Sequence, residues 1–275
     1  MMLKRLACLV ALPLSAQGMP KPGDLALSPQ RLFFQGRTRV QEVFLTNTGR
    51  SEATYRVGFL RLAMQEDGHI REVPELSRSA EPLLRFNPRQ VTLAPGERQV
   101  VRVMLRKPEV LDEGEYRIHL LFQAVPPANA LQPPPATDSD TGVHIQLIPI
   151  PGISIPVLVR HGQSLPGFAI EAAELQPGRL LFTTRMTGNV SLYGRLRIRF
   201  QPQDMRSPRE IATEDGFVHY IDLPKQRIEI PIKNEGVAGN GMLLVDLLDE
   251  SEKIIASATA HLGVASIPAK SKHTP

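Results

Sequence analysis

The chain has 275 residues, 42% of them hydrophobic and 22% charged, with 20 glycines and 25 prolines spread over many short segments. That is enough apolar material for two packed cores, and it suits an all-β protein with many turns better than a helical one. The formal charge of +4 falls to +2 once Lys4 and Arg5 are set aside with the leader described next, and tryptophan is absent, which excludes a nucleic-acid surface built on charge or on base stacking.

Lys4 and Arg5 precede an apolar run, Leu6 to Ala16 (LACLVALPLSA), that is too short to span a bilayer. Ala16-Gln17-Gly18 has the small-x-small cleavage pattern. Residues 1–18 therefore read as an export signal, cut after Gly18, with Ala16 the runner-up position. The only cysteine, Cys8, lies inside it, so no disulfide is expected in the mature chain. No other stretch approaches the ~20 apolar residues of a membrane helix, and no membrane insertion is expected.

The strands follow in close order. Leu25 to Phe34 reads as a strand broken at Pro29, with Arg31 just after the break. Val40 to Asn47 is the second and Thr54 to Met64 the third, the latter turning Tyr55, Val57, Phe59 and Leu60 inward. Residues 65–82 are polar and turn-rich. Leu84 to Leu93, Gln99 to Arg106 and Glu115 to Val125 come next, the middle one alternating at period two. Pro126 to Gly142 is a proline-rich, then polar, extended loop. After a hinge at His161 to Gly167, strands are predicted at 168–175, 179–186, 190–201, 217–222, 227–233, 242–249 and 253–264. Residues 202–216 read as a polar loop, Glu235 to Gly241 as a hairpin tip and 266–275 as a frayed tail. Short strands at this spacing without a helical period predict two immunoglobulin-like sandwiches, residues 19–161 and 162–275, with a barrel as the structural alternative.

One stretch stands out. Val143 to Arg160 (VHIQLIPIPGISIPVLVR) is apolar and β-branched but holds Pro149, Pro151 and Pro156. Proline has no N–H for a ladder, so this strand cannot be central along its whole length. An apolar edge left bare is an aggregation hazard, which points to an edge kept for pairing with something else.

Chemistry is sparse. The seven histidines show no metal spacing, and there is no HExxH, CxxC or GxSxG motif. His119 and His144 fall on predicted strands and read as solvent-facing. No cofactor is implied and nothing argues for an enzyme.

The first half resembles the PapD-type periplasmic pilus chaperones. The resemblance runs through LSPQRLFF (27–34), VFLTNTG (43–49), RFNPRQVTLAPGERQVVRV (85–103), GEYRIHLLF (114–122) and ISIPVLVRHG (153–162), and is weaker after about residue 168. It implies two sandwiches set as a boomerang, in the periplasm, that hold pilus or fimbrial subunits lacking their last strand and deliver them to an outer-membrane usher. It implies no cofactor, and it leaves open a self-capped homo-oligomer at rest. Val143 to Arg160 corresponds to the strand lent to the subunit. Its donated side chains would be Ile145 and Leu147, then Pro149 or Ile150 according to register, with Gly152 a place for a bulge and Ile153 beyond it. Arg31 corresponds to one of two cleft cations that anchor the subunit's terminal carboxylate. The other, usually lysine, falls on Pro156, where the sequence departs from the pattern. Arg160, His161 and Arg102 are poor substitutes for it. Arg160, Glu115 and, loosely, Glu235 correspond to an interdomain salt-bridge set.

Two rival classes are a secreted two-domain Ig-like structural or adhesion protein and an exported enzyme. The first leaves the proline-broken apolar edge unexplained, and the second lacks a catalytic cluster.

Overall fold

The computed structural model describes residues 24–126, 149–176, 178–204, 207–232 and 240–262. The export signal, most of the proline-rich loop, His144, Ile145, Leu147, Glu235 and the tail lie outside the described residues.

The first sandwich has two sheets. Strands β1 (Leu25–Ser28) and β2 (Leu32–Phe34) are the two halves of the broken strand, and they lie in different sheets. Strands β3 (Val40–Asn47) and β4 (Ala53–Leu60) follow. The predicted third strand stops at Leu60, and Leu62–Met64 (β5) folds into a hairpin with Ile70–Glu72 (β6), inside the stretch expected to be loop. After a 3-10 turn at Glu81–Leu83 come β7 (Leu84–Asn87) and β8 (Gln90–Leu93), then β9 (Arg98–Leu105), β10 (Gly114–Val125) and β11 (Gly152–His161). The sheet orders are β1-β3-β9-β7 and β2-β11-β10-β4-β8. The chain passes from one sheet to the other at Pro29 and again at Pro88, where a missing N–H ends each ladder.

Period two then builds the core. Val43 and Leu45, Val101 and Val103, Ile118, Leu120 and Phe122, and Val157 and Val159 all point inward and are fully buried. Each such side chain contributes roughly 1.5–3 kcal/mol of burial.

The second sandwich comprises β12 (Phe168–Gln176), β13 (Arg179–Met186), β14 (Leu192–Pro202), β15 (Arg209–His219), β16 (Lys225–Pro231), β17 (Gly241–Leu248) and β18 (Ile254–Leu262). Its sheets run β12-β13-β16 and β15-β14-β17-β18. Strand β15 corrects an expectation, because 209–216 had read as loop. It is an edge strand whose only half-buried apolar residues in that part are Ile211 and Ala212, so its apolar period is too faint to read.

A third cluster joins the sandwiches. Met64 and Leu158 of the first pack with Tyr193, Tyr220 and Leu223 of the second, flanked by Phe33 and Val218. The molecule is thus all-β, with two immunoglobulin-like sandwiches facing each other across a packed seam.

Candidate functional site: the open edge of β11 and the cleft at its end

Strand β11 pairs with β10 over its whole length, Gly152 to His161. On its other side it pairs with β2 only at Val157, Leu158 and Val159, in parallel. Among the described residues, Gly152 to Pro156 therefore have one neighbouring strand and one open side. The backbone fixes which groups are free. Ala124 N–H donates to Pro151 C=O at 2.9 Å, and an antiparallel ladder alternates bonded and non-bonded pairs. Ile153 and Ile155 therefore bond to β10, while Gly152 and Ser154 turn their N–H and C=O groups outward. Pro156 also falls on an outward position, so its missing N–H costs the β10 ladder nothing.

The strand is shorter than predicted. Pro149 and Ile150 lie ahead of it, because prolines at 149 and 151 have no donor to extend the ladder. Ile150 is 48% exposed. Ile153 shares the inward face of Ile155 and Val157, yet it is 40% exposed while Ile155 is 3% exposed. The sandwich is open at this end, and an apolar side chain aimed at its interior meets water.

Arg31 immediately precedes β2, whose Leu32 stands beside Val157, so Arg31 comes alongside Pro156, where the open edge ends. Its guanidinium lies over the Tyr193 ring at 4.3 Å from the centroid. A ring face holds the cation without consuming its N–H groups. Its Nε is buried with no hydrogen-bond partner, and Arg31 has no ion pair among the described residues. Burial raises the Tyr193 phenol well above its usual range, so the platform stays neutral. Arg31 and Phe33 of the first sandwich and Tyr193, Arg195, Asp215 and Glu250 of the second line a cleft of about 590 Å³.

Glu115 and Arg160 meet the second sandwich at Ser191. Glu115 is buried, and Arg160 Nε donates to its Oε2 at 2.9 Å. From the second sandwich Ser191 donates both its N–H, at 3.2 Å, and its hydroxyl to Glu115, and its C=O accepts from Arg160 Nη2 at 3.2 Å. A second bridge was missed by sequence reasoning. Arg117, 2% exposed, donates from Nη2 to both carboxylate oxygens of Asp222 at 2.8 Å, with its guanidinium 3.8 Å from the Tyr220 ring centroid.

His119 corrects a further expectation. It is buried rather than solvent-facing, because the second sandwich covers this face of β10. Its Nδ1 lies 3.3 Å from Ser154 Oγ, and burial with the nearby Arg117 charge lowers its pKa to about 4. The signal that could have revealed both residues is the run Glu115, Arg117, His119 on alternate positions of one strand. That pattern marks one ionisable face without saying what covers it.

Each substitute for the cation missing at Pro156 is engaged elsewhere. Arg102 pairs with Glu42 at 2.9 Å across β3 and β9, Arg160 holds Glu115, and His161 Nδ1 lies 3.2 Å from Lys107 Nζ.

No protein-family model and no curated protein sequence matches the chain. Solved structures do match in fold. A chain from the chaperone–tip adhesin complex of CFA/I fimbriae superposes with a TM-score of 0.52 at 13% identity, over 88% of this chain and 99% of that one. The class 5 fimbriae chaperone CfaA superposes at 0.49 with 13% identity, over 88% of this chain and 100% of its own. A chain of the CsuC–CsuE chaperone–tip adhesion subunit pre-assembly complex of Acinetobacter baumannii superposes at 0.43 with 12% identity, over 88% and 99%. With the CFA/I match running along nearly the whole of both chains, this chain has the fold of the PapD-like fimbrial chaperones.

Proposed function

We propose that this protein is a periplasmic chaperone that binds a fimbrial or pilus subunit by lending it the open edge of β11, and passes it to an outer-membrane usher. The observation that carries the reading is the edge itself, Gly152 to Pro156, with the Gly152 and Ser154 backbone turned outward, ending at an arginine that makes no ion pair among the described residues. A strand added there lies beside Gly152 to Pro156, ahead of the stretch that β2 covers. If its C-terminus is to meet Arg31, it must run parallel to β11, as β2 does. Its terminal carboxylate then takes the free N–H groups of Arg31, a charge-assisted pairing. Ile153, with Ile145 and Leu147 earlier in the chain, supplies apolar side chains to a subunit groove. The export signal and a self-capped resting oligomer belong to the same reading. It describes binding, with no turnover and no cofactor.

Periplasmic expression of the full chain with a subunit that lacks its own last strand tests this. The expected result is a stoichiometric complex that Arg31→Ala weakens by about 2–5 kcal/mol while the free protein's melting temperature stays nearly unchanged. A complex that tolerates Arg31→Ala at wild-type affinity removes Arg31 from the site.

A further inference from the structure

The cleft that Arg31 enters is not a simple anion site. Its lining holds two cations, Arg31 and Arg195, and four carboxylates, Asp215, Asp249, Glu250 and Glu252. Arg195 is already satisfied, with its Nε and Nη1 each 2.5 Å from an oxygen of Asp215 and Glu252 respectively. Asp249 accepts the backbone N–H groups of Ser251 and Lys253 at 2.8 and 3.0 Å in its own turn. Glu250 is exposed and makes no ion pair among the described residues. The second-sandwich wall is therefore net negative, while the first-sandwich wall offers one arginine whose buried Nε has no acceptor. A lone carboxylate reaching Arg31 enters a lining of net formal charge minus two. A partner that also brings a cation meets complementary charge on both walls.

From this arrangement we infer that the bound partner's terminal segment carries a basic side chain beside its C-terminal carboxylate, the carboxylate on Arg31 and the cation on the wall of Glu250 and its neighbours. This rests on the reading of Arg31 as the carboxylate anchor and adds a specificity determinant on the opposite sandwich. The second wall supplies through the partner what Pro156 withholds from the first. Discrimination among subunits then lies in the loop after β17, not only in the groove-filling side chains of β11.

The test uses the full chain and short alternating Val–Thr peptides that differ only at the end. One carries lysine next to a free C-terminal acid, one carries glutamate there, and one is the C-terminal amide of the lysine peptide. Affinities are read by fluorescence anisotropy at low and high salt. The lysine acid is expected to bind roughly fivefold tighter than the glutamate acid at low salt, with the gap closing as salt screens it. Glu250→Lys should reverse that order without altering the preference for acid over amide. Equal binding of the lysine and glutamate acids, with the acid still favoured over the amide, overturns this inference and leaves Arg31 as anchor. Equal binding of acid and amide overturns the anchor and the inference with it, as does failure of every peptide to bind.

Discussion

Arg117 of the first sandwich reaches both carboxylate oxygens of Asp222 of the second from a single nitrogen, at 2.8 Å each, while its guanidinium plane lies over Tyr220. This contact, with the Glu115, Arg160 and Ser191 group beside it, fixes how the two sandwiches face each other and so the shape of the cleft at Arg31. Removing one partner of a buried pair leaves the other uncompensated. Asp222→Ala should therefore cost about 3–5 kcal/mol, more than the loss of an exposed pair such as Arg179 with Glu229, worth at most about 1 kcal/mol. Urea denaturation of each single mutant and of the Arg117→Ala, Asp222→Ala double mutant checks it. Additive losses would mean the two residues are not coupled.

Acid should weaken the fold through His119. Its folded pKa, about 4, lies below the unfolded value near 6.5, so between these values the unfolded chain binds more protons. Stability therefore falls as pH drops through that window, by about 3 kcal/mol at most from this residue. Burial also lowers His219, whose ring is held by Thr184 Oγ1 at 3.1 Å and Leu223 C=O at 2.9 Å, and it acts in the same direction. Thermal melts from pH 7 to pH 4 should show a shallower decline for His119→Gln than for wild type. An identical slope would remove His119 as a source.

Two isoleucines on one strand face should separate stability from binding. Ile155 is buried in the core, whereas Ile153 sits at the open end of the same sandwich. Ile155→Thr should lower the melting temperature markedly, since a buried hydroxyl adds its desolvation cost to the lost apolar contact. Ile153→Thr should barely move it, yet should weaken subunit binding by roughly 1.5–3 kcal/mol if the side chain enters the subunit's groove. Melts of both variants beside a binding titration settle the assignment. Equal losses of stability would place Ile153 in the core.

Much of this architecture was legible because period two is loud where one face is buried. Val40 to Asn47 and Arg179 to Met186 were read to the residue. Where burial is shallow the period fades, and Arg209 to Gly216 passed for a loop. Pro29 announced a break, whereas Leu84 to Leu93 was read as one strand across Pro88; the chain changes sheets at both, because a missing N–H says where a ladder ends and not where the next one forms. Arg160 and Glu115 were named through the resemblance, and Arg160 Nε lies 2.9 Å from Glu115 Oε2. Arg117, Asp222 and Ser191 were missed, since each is matched by a residue more than 70 positions away on the other sandwich, and no local pattern encodes that distance. Pro149 and Ile150 were offered as alternatives by strand register, and both lie ahead of β11.

The central claim is that the outer side of β11 is open in the free protein and closed by its partner. Amide hydrogen exchange resolved to single residues measures this directly, because neighbouring amides on one strand should behave oppositely. In the free monomer the Ser154 amide, turned outward, should exchange quickly, while the Ile155 amide, bonded to β10, should be protected. On addition of a subunit lacking its last strand, Ser154 should become protected and Ile155 should change little. A Ser154 amide that is already protected in the free monomer, or that stays unprotected in a saturated complex, would contradict strand lending at this edge.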